Sequence, residues 1–439
     1  MPANAFNRRD LLRGAALALA ATQFGLLRTA YAQAPIPVPL LERNNMTTTT
    51  IDSARSFQVD VAEDDLNELR RRVAAARYPT RELVADRSQG VQLATLQELA
   101  RYWSSEYDLG RVEARLNALP QFMDEIDGVD IHYIHIQSSS PTALPLIMTH
   151  GWPGSVIELL DTIGPLTDPA TYGGRPEDAF HLVVPSIPGY GFSAEPTELG
   201  WNPGRVAKAW AELMQRLGYT RYVAQGGDVG AIVTDAMGRQ APAGLAGIHM
   251  NLFVPALSVP QPTDSEDERA AAAALATFQK TGSGYFLEQA TRPQTIGYAL
   301  LDSPVALAAW MLDHDTDSYQ KISHAFLDGS PSGGLTRDHI LDNVTLYWLT
   351  GTGASAARAY WESGRATALA AGQAPPPVAV PVGFTTFPGE IFQAPRSWVQ
   401  KSYPTLTYFN QADRGGHFAA WEEPELFTSE LRAAFRTLR

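Results

Sequence analysis

The chain contains no cysteine. That excludes disulfides and thiolate metal sites, and it leaves no thiol nucleophile. Positive charge is in deficit: the formal net charge is −13 at pH 7, so no basic face is on offer to a nucleic acid. No apolar run approaches the roughly 20 residues that a membrane-spanning helix needs. The stretch from Ala15 to Leu27 is short and is interrupted by Thr22 and Gln23. H-E-x-x-H and phosphate-loop patterns are missing, as are internal repeats, so no metal or organic cofactor is expected. What remains is a chain of 439 residues, 45% hydrophobic and 18% charged. Such a composition suits a globular protein of one large domain or two.

The first 34 residues read as a targeting segment. Asn7-Arg8-Arg9-Asp10-Leu11-Leu12-Arg13 is a twin-arginine pattern, the weakly apolar stretch follows it, and Ala32-Gln33-Ala34 offers small residues for cleavage. The plainer alternative is a frayed amphipathic helix. The targeting reading implies bacterial export to the periplasm, with no membrane anchor once the signal is removed. Residues 35–54 read as a linker rich in Pro, Asn and Thr.

Residues 55–120 read mostly as helix. Leu66, Leu69 and Val73 recur at helical spacing, and further helices are expected over Val91 to Ser105 and Leu109 to Leu119. Two strands, Gln121 to Ile126 and Val129 to Ile136, flank Asp127-Gly128, a hairpin signal. Strand-like runs then alternate with helix-like ones: Leu144 to Met148, Phe180 to Val184, Tyr222 to Ala224 and Gly247 to Met250. The alternation predicts an α/β protein with a mostly parallel sheet covered by helices on both faces. It stops near Phe253, and strands resume with Val378 to Phe384 and Leu406 to Phe409. Residues 253–372 therefore read as a helical cap inserted into a core made of 121–252 and 373–439.

The segment Gln225-Gly226-Gly227-Asp228-Val229-Gly230 has a strand before it and a helix-like stretch, Ala231 to Met237, after it. This is the context of a nucleophile elbow, where small residues flank one exposed nucleophile on a sharp turn. A carboxylate stands where a serine is usual. A carboxylate can displace a leaving group from saturated carbon and leave an ester on the enzyme. Epoxides and alkyl halides suit that step. His417, in Gly415-Gly416-His417-Phe418, lies just beyond the last strand-like run, and Glu390, in Phe387-Pro388-Gly389-Glu390, lies beyond the one before it. Nucleophile, acid, histidine is the chain order of α/β-hydrolases. Glu390 would hold the imidazole tautomer and stabilise the imidazolium. Asp413 is nearer to His417 but shares its loop, a poor position for reaching the ring from behind.

These segments resemble the α/β-hydrolase-fold epoxide hydrolases of the microsomal and juvenile-hormone type. The resemblance covers nearly all of residues 55–435. It rests on Pro120 to Gly128, His150-Gly151-Trp152-Pro153-Gly154-Ser155, Phe387 to Glu390, and Arg414 to Ala420 with Glu422-Glu423-Pro424. It implies a hydrolase fold with an inserted cap and a helical N-terminal domain. It also implies two cap tyrosines that hydrogen-bond to the epoxide oxygen, carried to Tyr285 and Tyr360, and an oxyanion hole built from the backbone N–H groups of Trp152 and Val229. Many members have tryptophan after the nucleophile where this chain has Val229, which alters a pocket wall but not the backbone donor. Animal members begin with a membrane anchor, unlike the export pattern here.

The expected reaction is hydrolysis of an apolar epoxide to a vicinal diol through an ester on Asp228, with Trp152, Tyr190 and Phe192 lining the pocket. Expected partners are the epoxide, water and, at most, a second copy of the chain. Two alternatives stand beside this reading. A haloalkane dehalogenase would want a halide donor such as tryptophan at position 229. A silent hydrolase-fold binding protein would not need the full set of residues.

Overall fold

The computed structural model describes residues 54–257, 261–370 and 375–439. The expected targeting segment and most of the expected linker fall outside the described residues. The chain divides into two units, one of residues 53–363 with 374–439, the other of 1–52 with 364–373. Within the second, residues 364–369 are helical. All that follows concerns the first.

Its centre is a sheet of nine strands: β1 (Arg55–Phe57), β2 (Gln121–Ile126), β3 (Val129–Ile136), β4 (Leu144–Thr149), β5 (Phe180–Pro185), β6 (Tyr222–Gly226), β7 (Leu245–Met250), β8 (Val382–Thr386) and β9 (Leu406–Gln411). The order is β1-β2-β3-β5-β4-β6-β7-β8-β9. Pairings from β1 to β5 are antiparallel, and those from β5 through β4 to β9 are parallel. The expected mostly parallel α/β sheet is thus present, with an antiparallel ribbon at one edge. Asp127 and Gly128 close the β2–β3 hairpin with φ of 52° and 77°, as a two-residue turn with both centres left-handed requires. The inner strands β4 and β5 carry near-continuous apolar runs and are buried along almost their whole length, the pattern of strands covered on both faces. One covering helix, Pro203–Arg216, is capped by the Asn202 side chain and buries Val206, Trp210, Leu213 and Met214. Its Trp210 indole donates to Thr149 Oγ1 at 3.0 Å.

Two strand expectations need correction. β8 begins four residues late, at Val382 rather than Val378. Pro381 has no N–H to give the ladder; its carbonyl instead accepts from Ile248 N at 2.9 Å. The short β1 was not anticipated. Three residues with one apolar side chain carry no readable period.

Between β7 and β8 the described chain is helical, from Glu266–Thr277 through Gly353–Leu369. In this insertion, helix Arg337–Thr350 is buried without a break from Ile340 to Tyr347. Buried polar groups must find partners, and here they do. Asp342 takes hydrogen bonds from Tyr107 and Arg111, and Thr345 Oγ1 accepts from the Trp103 indole at 2.9 Å. These partners lie on the N-terminal helices Leu93–Ser105 and Leu109–Asn117 or between them. On the core side, Asn343 Nδ2 donates to Pro153 O at 2.6 Å and the Tyr347 hydroxyl donates to Gly154 O at 2.7 Å. The N-terminal helices thus brace a cap helix that holds the loop after β4.

Candidate active site

Asp228 begins helix Asp228–Gln240 directly after β6 and Gly227. Its φ is +48°, a strained value for a residue with a side chain, worth about 1–3 kcal/mol. The neighbours make the turn possible. A β-carbon on Gly226 would lie 2.1 Å from Gly230 O, and one on Gly230 would lie 2.0 Å from Thr149 O on β4. Only glycine fits either place, so the carboxylate is held at the carboxyl end of the central strands, where ligands of such sheets bind.

Two loops complete the constellation. The turn after β8 brings Glu390, and the turn after β9 brings His417; the two turns are joined by a bridge between Gly389 and Gly416. His417 Nδ1 lies 2.5 Å from Glu390 Oε1, and its Nε2 lies 3.2 Å from Asp228 Oδ2. Glu390 Oε1 also accepts the Ile391 N–H at 2.8 Å. Opposite His417, the Trp152 N–H donates to Asp228 Oδ1 at 2.8 Å, and the nearby Val229 N–H adds a favourable electrostatic contribution to the carboxylate.

Burial and pairing set the protonation states. Burial alone would raise the Asp228 carboxyl, but the hydrogen bond and charge of His417 and the two N–H groups outweigh it and hold it below the usual value. Burial opposes charge on His417, yet Glu390 and Asp228 together hold it well above an ordinary histidine. Glu390 is shifted up by its burial, which its bond to His417 does not fully offset. His417 thus has an acidic side chain at each ring nitrogen, Glu390 at Nδ1 and Asp228 at Nε2.

Tyr285 and Tyr360 come from two cap helices, Gly284–Thr291 and Gly353–Leu369. Their rings meet Trp152, stacked at 5.4 Å and edge-on at 5.9 Å, and lie 6.4 Å from each other. Both are buried, and neither hydroxyl has a protein hydrogen-bond partner among the described residues. Burial first, and then the negative charge of Asp228, pushes both phenols well above their ordinary value. Each keeps its proton and has it free to donate.

One of the expected pocket residues sits elsewhere. Phe192 packs against Phe57 and His132 at 5.2 and 5.0 Å, under the antiparallel edge of the sheet. Gly191, with φ of +51°, turns the chain so that neighbouring side chains part. Tyr190 lies nearer Asp228 but has no exposed surface; its hydroxyl donates to Ala356 O at 3.1 Å and anchors the cap. Trp152 alone of the three touches the tyrosines.

Other buried groups beside the site were not anticipated. His150 is neutral, its pKa lowered to about 4 chiefly by burial, and its Nε2 accepts the Ile187 N–H at 3.1 Å. His314 Nε2 and Asp315 Oδ2 lie 2.7 Å apart, both side chains buried, with the His314 ring 6.1 Å from that of His417. Glu158 reaches back to Gly151 N at 3.3 Å. No local sequence signal marked it out. No group of metal-ligating side chains occurs among the described residues.

Comparison with known proteins points one way. Residues 54–159 match the protein-family model for the epoxide hydrolase N terminus. A protein of Stigmatella aurantiaca, provisionally named an epoxide hydrolase, is 51% identical over 87% of this chain and 85% of its own. Epoxide hydrolase 1 of Sus scrofa is 35% identical over 87% of this chain and 88% of its own. The crystal structure of juvenile hormone epoxide hydrolase from Bombyx mori superposes with a TM-score of 0.77 at 30% identity, covering 88% of this chain and 95% of that one.

Proposed function

The chain belongs to the epoxide hydrolases of the microsomal and juvenile-hormone type and hydrolyses epoxides, and we propose that it does so through a covalent ester on Asp228. One observation carries the reading: the Asp228 carboxylate is gripped by His417 on one oxygen and by the Trp152 N–H on the other. A group so held is a preorganised nucleophile with its base and its oxyanion donors already in place.

The steps follow from the protonation states. Asp228 attacks one carbon of an apolar epoxide, and the C–O bond of the ring breaks. The free hydroxyls of Tyr285 and Tyr360 hydrogen-bond to the departing oxygen and supply its proton. Ester formation removes the negative charge of Asp228, so His417 loses one of the two carboxylates that hold its proton and its pKa falls. That proton restores the tyrosine, and neutral His417 becomes a base. Oriented by Glu390, it deprotonates water, which attacks the ester carbonyl. The oxyanion on the former carboxylate is held by the N–H groups of Trp152 and Val229, and its collapse breaks the ester C–O bond: the departing alkoxide takes the proton that His417 gained from water, the new Asp228 carboxyl returns a proton to His417, and the diol leaves. A dehalogenase reading gains nothing from Val229, which has no side-chain donor for a halide.

His417→Gln tests this. Alkylation needs no proton taken from Asp228, whereas hydrolysis needs the base. Incubation with styrene oxide should give a protein heavier by one substrate, mapped to the peptide containing Asp228. An unmodified protein after prolonged incubation contradicts the ester route.

We propose in addition that the chain is exported through its twin-arginine segment. The pattern Arg8-Arg9 with Ala32-Gln33-Ala34 supports this, and intact mass of periplasmic protein from the native host should place the mature start at Pro35. Only full-length cytoplasmic protein would end that proposal. A homodimer is the accompanying reading. Phe286, Leu287, Tyr298 and Leu301, all exposed on two successive cap helices, offer an apolar surface for a second copy.

A further inference from the structure

Glu158 is a buried acid to which the ester route gives no task. It sits on the turn Val156–Leu159 that follows the His150–Ser155 segment. Its Oε1 accepts the Gly151 N–H at 3.3 Å. Its Oε2 is buried and has no hydrogen-bond partner among the described residues. The space it fills is reserved for it: a β-carbon on Gly154 would lie 1.5 Å from Oε2 and 3.1 Å from the ring of Phe418, the residue after His417. Glu158 is therefore packed between the loop that carries the Trp152 N–H and the loop that carries His417.

The titratable groups that face it are Asp228, His417 and Tyr347. Burial, reinforced by the charge of Asp228, pushes the acid well above the carboxylate range, and the Gly151 N–H and His417 pull the other way less strongly. The loop that Glu158 touches is pinned at several points, one of them the Gly151 carbonyl, 2.9 Å from His150 Nδ1. The cap helix holds the carbonyls of Pro153 and Gly154 through Asn343 and Tyr347. At the other end, among the described residues, the only side chain holding the Gly151 N–H is that of Glu158. Gly151 and Trp152 present successive N–H groups, one to Glu158 and the next to Asp228. An anion at position 158 would oppose the negative charge that builds up on the former Asp228 carboxylate during ester hydrolysis. A neutral acid does not, and still accepts the hydrogen bond.

We propose that Glu158 is a positioning residue for the oxyanion hole: by holding the Gly151 N–H it aims the adjoining Trp152 N–H at the carbonyl oxygen of the Asp228 ester. This rests on the ester route. It assigns Glu158 to the second chemical step and not to the first, because the oxyanion exists only while the ester is being hydrolysed.

The experiment follows ester formation and ester decay separately, by quenched-flow mass spectrometry with styrene oxide, in wild type, Glu158→Ala and Glu158→Gln. Only alkylated molecules enter the decay rate, so a misfolded fraction does not distort it. Glu158→Ala should form ester within a few-fold of the wild-type rate and hydrolyse it about 10–100-fold more slowly, the usual scale for misplacing a catalytic donor. Ester should then accumulate. Glu158→Gln keeps an uncharged acceptor of the same shape and should bring hydrolysis back to within about threefold of wild type. Ester decay at the wild-type rate in Glu158→Ala overturns the proposal, as does equal slowing of both steps, or a Gln variant as slow as the Ala one. His417→Gln run alongside separates the two claims. If it traps the ester while Glu158→Ala leaves decay untouched, only the role of Glu158 fails. If it traps nothing, the ester route fails and this inference with it.

Discussion

A chain carrying both Tyr285→Phe and Tyr360→Phe loses nearly all epoxide turnover. Either change alone should slow ester formation by about 10²–10⁴-fold, the usual contribution of a positioned general acid. The reason lies in the pair. Both rings rest on Trp152, so phenylalanine keeps the packing and removes only the hydroxyl. Each hydroxyl has no protein hydrogen-bond partner among the described residues and retains its proton in the buried site. With one hydroxyl left, the departing oxygen still has a donor. With none, an alkoxide must form in a buried, low-dielectric pocket beside buried carboxylates, which is strongly unfavourable. Pre-steady-state ester formation in the single and double variants checks this. A double variant within tenfold of wild type removes the tyrosines from the mechanism.

The second large effect is at the nucleophile. Asp228→Ala should reduce diol formation by about 10⁶-fold, the scale on which removal of a catalytic nucleophile acts. The fold should persist, because the elbow is shaped by Gly226 and Gly230 rather than by the carboxylate. A change at His417 should accompany the loss. With one of its two carboxylate neighbours gone, its imidazolium becomes less favourable and its pKa falls. An NMR titration of the imidazole in the variant and wild type measures that shift. Residual turnover above one per cent would mean that water, not Asp228, opens the epoxide.

Much of the architecture could be read from the chain because the inner strands are buried on both faces and carry unbroken apolar runs. The hairpin at Asp127-Gly128 was legible for a different reason, since two left-handed centres restrict the residues that can occupy them. The edges of the sheet were not so legible. β1 is too short for a pattern, and the start of β8 depends on where Pro381 interrupts the ladder. Asp228, Glu390 and His417 could be singled out because each stands just beyond a strand in a glycine-rich turn. Their contacts depend on the bridge between Gly389 and Gly416, which no local sequence signal announces.

Pocket walls were the least readable part. Tyr190 and Phe192 are aromatic and near a site motif, yet the turn at Gly191 sends them into separate packing environments. Glu158 was overlooked for the opposite reason. A lone glutamate on a short turn reads as a solvated side chain, and only the fold shows it buried against Gly151 and Gly154. Such buried polar groups are where tertiary context overrides local pattern most completely.

The central claim is that the carboxylate of Asp228 itself becomes part of the product. A single turnover in heavy-oxygen water, with enzyme in excess over styrene oxide, tests it most directly. The ester route puts one oxygen of the resting carboxylate into the diol and an oxygen from water into Asp228. The first diol formed should therefore be largely unlabelled, and the label should appear in the peptide containing Asp228. A first-turnover diol that carries the label, with an unlabelled Asp228 peptide, contradicts the account and makes the carboxylate a general base.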